Sequence, residues 1–86
     1  MPNVTVRYWA AAKEAAGLAE ETISASTLSE ALDAIRSVRS EDSRFAAIIA
    51  RSSFLIDETP AGKRDASSVA LSEGAVIEVL PAFAGG

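Results

Sequence analysis

One strongly amphipathic helix in the first half of the chain limits the folds that this sequence can adopt. The segment STLSEALDAIRSV, residues 26–38, repeats apolar residues at the spacing of a single helix face. Thr27 and Glu30 have the spacing of a capping box, which predicts that the helix begins directly after Thr27. The predicted inward stripe consists of Leu28, Ala31, Leu32, Ile35 and Val38. Because one stripe covers one face of a sheet, we expect an α+β domain with a second, open sheet face.

Short segments rich in β-branched and aromatic residues predict the strands of that sheet. Residues 3–10 (NVTVRYWA) and 20–25 (EETISA) precede the main helix, whereas residues 53–57 (SFLID) and 76–80 follow it. The intervening residues 58–68 are rich in turn formers and charges, so we expect a surface loop there with room for one short edge strand.

Two shorter helices are predicted beside the main one. The segment AAAKEAAG favours helix and ends at Gly17, a residue suited to a helix C-terminus. The segment SEDSRFAAIIARS predicts a second short helix, with Ser40 or Ser43 as its N-cap. Its inward residues are predicted to be Phe45, Ile48 and Ile49.

Alternation along the first and last strands predicts which side chains face the helix. Val4, Val6 and Tyr8 share one face of the first strand, which leaves Thr5, Arg7 and Trp9 on the other. If Ile77 and Val79 of the last strand point inward, Leu80 points to the open face with Trp9. The predicted core between sheet and helix is Val6, Tyr8, Ile23, Leu32, Ile35, Ile77 and Val79. An open face that carries Trp9 and Leu80 is typical of a partner-binding surface.

Composition excludes several classes of function. The chain has 86 residues and a net charge of −4, so we expect one domain that binds no nucleic acid and no anionic membrane. It contains no Cys and no His, which excludes disulfides, thiol nucleophiles and Cys/His metal sites. The first residues lack the pattern of a signal peptide, and no run reaches the roughly 20 apolar residues of a membrane span. We therefore expect a cytoplasmic location.

No arrangement of side chains in the sequence predicts a self-contained active site. A serine nucleophile would need a base, and the two lysines, Lys13 and Lys63, lie in segments predicted to be solvated. The distinctive group is instead the terminal carboxylate of Gly86, which is ionised at neutral pH. Such a carboxylate can attack the α-phosphorus of ATP and form an acyl-adenylate.

The final residues, PAFAGG, suit entry into the active site of another enzyme. Gly85 and Gly86 carry no side chains, and Ala84 before them is small. Residues 82–86 are predicted to be a flexible tail, which spans about 16–18 Å when extended. Pro81 follows Leu80 directly and Phe83 lies near the start of this tail, so both are predicted to extend the partner-binding surface, and Arg7 is predicted at its polar rim.

The segments VTVRYWAAAKEAAG and LSEGAVIEVLPAFAGG, with the capping-box helix between them, resemble the MoaD/ThiS family of sulfur carriers. The resemblance covers nearly the whole chain and is most like the branch of molybdopterin synthase small subunits, which have a helical insert after the first strand. It implies a ubiquitin-like β-grasp fold over residues 1–86. That fold has a mixed sheet of four or five strands, one main helix and short extra helices, and its first and last strands are parallel neighbours.

The resemblance also implies a function for the terminus. An activating enzyme would use ATP to adenylate Gly86, and a sulfur donor of the desulfurase or rhodanese type would convert it to a thiocarboxylate. The large subunit of molybdopterin synthase would then receive the tail and pass the sulfur to cyclic pyranopterin monophosphate during molybdenum cofactor synthesis. No tightly bound cofactor is implied, because the sulfur is carried on the terminus itself, and the chain is not catalytic alone.

Three positions differ from the family pattern that the resemblance implies. The Asn usual after the third strand is Asp57 here, the usual Gly-Asp before the last strand is Gly74–Ala75, and one of two prolines before the tail is Ala82.

Alternative functions remain open from the sequence. The same terminal chemistry serves sulfur carriers for thiazole or cysteine biosynthesis, and activation of Gly86 also serves a ubiquitin-like modifier that is conjugated to target lysines. A third hypothesis is an interaction domain whose terminal glycines have no chemical role.

Overall fold

The computed structural model describes residues 1–82, which form five strands, three α-helices and one 3₁₀ turn. The elements are β1 (Asn3–Tyr8), α1 (Ala10–Ala16), β2 (Glu20–Ser24), α2 (Leu28–Val38), α3 (Ser43–Ala50), β3 (Ser52–Ile56), β4 (Thr59–Pro60) and β5 (Val76–Pro81), with a 3₁₀ turn at Ala66–Ser68. Every strand and helix predicted from the sequence is present, and the short edge strand expected in the loop is β4.

The strands form one mixed sheet in the order β2-β1-β5-β3-β4. Strand β1 pairs with β5 in parallel, with Val6 opposite Ile77 and Tyr8 opposite Val79. The other pairs, β1 with β2, β3 with β4 and β3 with β5, are antiparallel. The predicted parallel pairing of the first and last strands is therefore confirmed, and it makes β5 the central strand of the sheet.

Helix α2 begins where the capping box predicts. The Thr27 hydroxyl accepts a hydrogen bond of 3.2 Å from the amide of Glu30. The Glu30 carboxylate accepts one of 2.7 Å from the amide of Ser26, one residue before the N-cap. No helix within residues 1–82 has the length and apolar character needed to cross a membrane.

The predicted inward stripe of α2 is correct for four residues and wrong for Val38. Leu28, Ala31, Leu32 and Ile35 are buried, whereas Val38 is 67% exposed. The reason is that Arg39 reaches over the core at this end of the helix. Its guanidinium carbon lies 5.6 Å from the ring centre of Tyr8 and 4.8 Å from that of Phe45.

Helix α3 is present, but its predicted N-cap was wrong. The cap is Asp42, whose carboxylate accepts a 2.9 Å hydrogen bond from the amide of Phe45. Ser43 is already the first helical residue, and Ser40 lies three residues before it, so neither side chain is at the N-cap position. Phe45 and Ile49 are buried as predicted, while Ile48 is partly buried against the core.

The core lies on one face of the sheet, beneath all three helices rather than beneath α2 alone. Ala12 of α1 and Phe45 of α3 belong to the same buried cluster as the α2 stripe. Of the seven predicted core residues, six are buried. Ile23 is only partly buried, because β2 is an edge strand of the sheet.

A polar network that sequence patterns did not predict closes one edge of this core. The Tyr8 hydroxyl donates a hydrogen bond to the Glu21 carboxylate, which also forms a 2.8 Å ion pair with Arg39. The same guanidinium donates to the carbonyl oxygen of Ala16 at 3.3 Å. Burial, together with the neighbouring Glu21 carboxylate, raises the pKa of Tyr8 well above its usual value. The network thereby ties β1, β2, α1 and the end of α2 together.

Candidate functional site

The backbone just before β5 sets the start of the strand that leads to the terminus. Gly74 has a φ of +82°, a left-handed conformation that glycine adopts without strain. Its amide donates a 2.8 Å hydrogen bond to the carbonyl oxygen of Asn3, and the amide of Thr5 donates one of 2.9 Å to Ala75. The turn therefore aligns β5 with the beginning of β1.

A second anchor for β5 comes from the hairpin between β3 and β4. The Asp57 amide donates to the carbonyl oxygen of Val76, and the Asp57 carboxylate accepts from the Val76 amide, both at 2.9 Å. Asp57 and Glu58 have positive φ angles of 49° and 71°. Asp tolerates this conformation better than most residues, so Asp57 suits the position at which the resemblance implied Asn.

The side chains of β5 alternate as predicted up to the end of the strand. Ile77 and Val79 are fully buried on the helix side. Leu80 is therefore on the open face, where it is half-buried and lies opposite Ser53 of β3. Pro81, the last strand residue, lies opposite Ser52, and Ala82 after it is exposed. The described part of the chain thus ends directly after the carboxyl end of its central strand.

The remaining predicted site residues in the tail, Phe83, Ala84, Gly85 and Gly86, lie outside the described residues. Their predicted roles stay predictions.

Trp9 lies on the open face, beside the end of β5. Its backbone is extended, with φ of −122° and ψ of 151°, and its amide donates a 3.3 Å hydrogen bond to Val79. This bond continues the parallel pairing of β1 and β5, so Trp9 and Leu80 occupy neighbouring positions on the same face. The Trp9 side chain is 45% exposed, and its indole nitrogen donates a 3.2 Å hydrogen bond to Glu78.

Arg7 lies two residues before Trp9 on the same face. It is opposite Glu78 in the parallel pairing and opposite Glu20 in the antiparallel pairing with β2. Its closest carboxylate oxygen, on Glu20, is 4.0 Å away, and both side chains are about half exposed. An exposed pair at this distance adds little stability, so Arg7 remains available at the rim of the face.

A shallow depression of about 320 Å³ lies on the open face next to this surface. It is lined by Arg7, Asp57, Glu58, Val76 and Glu78, so carboxylates outnumber the one cation. Two other grooves are lined by the ends of α1, α2 and α3 and by the β3–β4 edge, and neither contains a predicted site residue.

Sequence patterns did not identify Glu78 or Asp57 as members of this site. Alternation placed Glu78 on the outer face, but its hydrogen bond with Trp9 depends on the register of two strands far apart in sequence. Asp57 was noted only as a departure from a family pattern, and its contact with Val76 likewise depends on the tertiary structure.

Comparison with protein families supplies an independent finding. The sequence matches the model of the ThiS family over residues 6–86. A search of curated proteins produced no significant match.

Solved structures with the same fold cover nearly all of the chain. Small archaeal modifier protein 1 from Methanosarcina acetivorans has a TM-score of 0.82 at 20% identity, over 100% of this chain and 98% of that one. A putative molybdopterin converting factor subunit 1 from Pyrococcus furiosus has a TM-score of 0.75 at 18% identity, over 96% and 100%. A chain from the complex of subunits 1 and 2 of molybdopterin-converting factor from Helicobacter pylori 26695 has a TM-score of 0.65 at 24% identity. The match covers 98% of this chain and 99% of that one. The predicted ubiquitin-like β-grasp fold is thereby confirmed.

Proposed function

This chain belongs to the ThiS family, and we propose that it carries sulfur as a thiocarboxylate on Gly86. The observation that carries the proposal is the family match itself, which covers residues 6–86 and therefore includes Gly85 and Gly86. We also propose that this sulfur is used to form the dithiolene of molybdopterin.

The chemistry requires little of the folded body except presentation of the terminus. A carboxylate oxygen of Gly86 attacks the α-phosphorus of ATP in an activating enzyme, and pyrophosphate leaves. The persulfide of a sulfur donor then attacks the acyl carbon and displaces AMP, which gives an acyl disulfide. A thiol reduces this disulfide and releases the thiocarboxylate, so that one oxygen of the carboxylate is replaced by sulfur. Two consecutive glycines keep this segment narrow, which suits a close-fitting active site.

The geometry of β5 supports this role. The strand is held on both sides, by β1 and by β3, and its start is fixed through Asp57 and the Gly74 turn. A central strand paired on two sides is a rigid base, so the position from which the tail departs at Ala82 is well defined.

The partner that we propose is the large subunit of a molybdopterin synthase, bound through the open face and the tail. The support is a protein of the same fold that was solved as a complex of molybdopterin-converting factor subunits 1 and 2. Trp9, Leu80 and Arg7 lie on the open face near the carboxyl end of β1 and β5, and we propose that Pro81 and Phe83 extend this surface along the chain. The activating enzyme is proposed to use the same surface.

The recipient of the sulfur is tested directly by reconstitution. Thiocarboxylated protein, large subunit and cyclic pyranopterin monophosphate are combined, and dithiolene formation is measured. Formation of dithiolene supports the molybdopterin version. Its absence, with a thiocarboxylate that remains reactive toward thiazole or cysteine biosynthetic enzymes, contradicts that version and assigns the sulfur elsewhere.

A second candidate is a ubiquitin-like modifier, because small archaeal modifier protein 1 has the same fold. In that case the activated Gly86 forms an amide with lysines of other proteins. Covalent conjugates of this chain with other proteins are isolated from cells and treated with a reducing agent. Conjugates that survive this treatment, and that are absent when Gly86 is deleted, distinguish a modifier from a carrier.

Replacing Trp9 with Ala should weaken binding of the large subunit by about thirtyfold, since truncating a central aromatic anchor often costs about 2 kcal/mol. The side chain is 45% exposed and supplies no capping bond to α1, so thermal stability of the free protein should change little. A binding titration and a thermal melt check the two halves of this expectation.

The control for this variant is Val38→Ala, which shortens an exposed apolar side chain on the helix side of the protein. It should leave affinity unchanged. A Trp9→Ala protein that melts far below wild type but binds normally when folded would place Trp9 in the structural core and remove it from the interface.

A further inference from the structure

We infer that Glu78 is a positioning residue, which holds the indole ring of Trp9 in one orientation on the open face before any partner binds. The observation is the hydrogen bond from the indole nitrogen to the Glu78 carboxylate, 3.2 Å long, between side chains 69 residues apart. The effect on affinity that follows rests on the proposed function, whereas the effect on the ring does not.

The backbone of Trp9 is already fixed on both sides. Its amide donates to Val79 of β5, and its carbonyl oxygen accepts from the amides of Ala12 and Lys13 at the start of α1. The chain also turns sharply directly after it, with a φ of +48° at Ala10. The freedom that remains is rotation of the side chain. An indole has a single N–H donor, so one well-placed acceptor is enough to select an orientation.

Glu78 is well placed to be that acceptor. It is held in the central strand β5, between Arg7 on β1 and Leu55 on β3. Glu78 forms no ion pair within residues 1–82, although Arg7 lies opposite it. Its carboxylate is therefore left to accept from Trp9, and a bond to a charged acceptor is stronger than one between neutral groups.

Pre-orientation of an anchor lowers the cost of binding. An aromatic side chain that rotates freely must be immobilised when the interface forms, at a cost that weakens association. A ring that is already held avoids this cost. Loss of the Glu78 bond should therefore weaken binding of the large subunit by about two- to tenfold, less than loss of the ring itself.

The test uses the fluorescence of Trp9, which is the sole tryptophan of the chain. Time-resolved anisotropy of the free, full-length protein is compared for wild type, Glu78→Ala and Glu78→Gln. The amide oxygen of Gln still accepts a hydrogen bond, whereas Ala offers no acceptor. Glu20→Ala is the matched control, because it removes one carboxylate from the same face without touching Trp9. Affinity for a large subunit is then measured for all four proteins by calorimetry.

We expect a larger amplitude of fast ring motion in Glu78→Ala, while Glu78→Gln and Glu20→Ala remain close to wild type. We expect the same ranking in affinity. Identical anisotropy decays for wild type and Glu78→Ala would overturn the inference. Equal losses of affinity in Glu78→Ala and Glu20→Ala would also overturn it, since charge alone would then explain the effect. If wild type does not bind the large subunit but the decays differ as expected, the proposed partner is wrong and the positioning role stands.

Discussion

Deletion of Gly86 should abolish formation of the thiocarboxylate and leave the fold intact. The expected loss is complete, because the deletion moves the reacting carboxylate to Gly85, one residue short of the position at which the activating enzyme holds it. The buried core of the described structure lies between Val4 and Val79, so the melting temperature should not change. Sulfur loading and thermal melts of the same preparation measure both effects.

Gly85→Val tests whether the tail must also be narrow to enter the activating enzyme. A branched side chain next to the reacting residue should crowd the channel of the activating enzyme and slow loading by up to about a hundredfold, the loss that a misplacement of about 1 Å can cause. The matched control is Ala82→Val, which adds a side chain of the same final size at an exposed position nearer the body. Equal rates for the two variants would show that the tail is not threaded through a narrow site.

Ile35→Ala should be the most destabilising simple truncation in the main helix. Ile35 is fully buried, and removing such a side chain from a core costs about 2–5 kcal/mol. Small domains have a free energy of unfolding of about 5–15 kcal/mol, so a large fraction of the total would be lost. For a protein of this size each kcal/mol lowers the melting temperature by about 4–8 °C.

The control for Ile35 lies three residues further along the same helix. Val38→Ala also shortens a β-branched residue, but its side chain is 67% exposed, so the expected change in stability is within about 0.5 kcal/mol. Comparable destabilisation by the two variants would mean that the buried face of α2 is assigned incorrectly. Denaturant unfolding gives both values under the same conditions.

The parts of the fold that depend on local patterns were predictable from the sequence. The capping box located the start of α2, and alternation correctly placed Val6 and Val79 in the core and Trp9 on the open face. These features depend on residues close together in the chain. The parallel pairing of β1 and β5 was expected only through the family resemblance, because no local pattern specifies which strands become neighbours.

The errors and omissions arise where tertiary contacts override local preference. Val38 fits the apolar stripe of α2, yet Arg39 occupies the space over Tyr8 and Phe45. An arginine that packs over aromatic rings at the edge of the core is not expected from sequence patterns, and its partner Glu21 comes from strand β2. The bond between Glu78 and Trp9 has the same origin. It exists because β1 and β5 are paired in one register, and a shift of one residue would place Glu78 on the opposite face.

In the candidate site, too, local features were predictable from the sequence and tertiary contacts were not. The terminal glycines and the outward alternation of Leu80 were visible in the sequence. The anchoring of Val76 by Asp57, which fixes where β5 begins, was not. Asp57 lies in a turn with positive φ angles, and nothing in the sequence shows that its carboxylate accepts from an amide 19 residues away.

The central claim is that Gly86 becomes a thiocarboxylate, and intact-mass spectrometry with fragmentation of the C-terminal peptide tests it most directly. The wild-type protein is incubated with ATP, an adenylating enzyme and a sulfur donor that together load another ThiS-family carrier in a parallel reaction. The account predicts an ATP-dependent mass increase that corresponds to replacement of one oxygen by sulfur, located at Gly86. An unchanged mass while the parallel carrier is loaded, or sulfur located at any other residue, would contradict it.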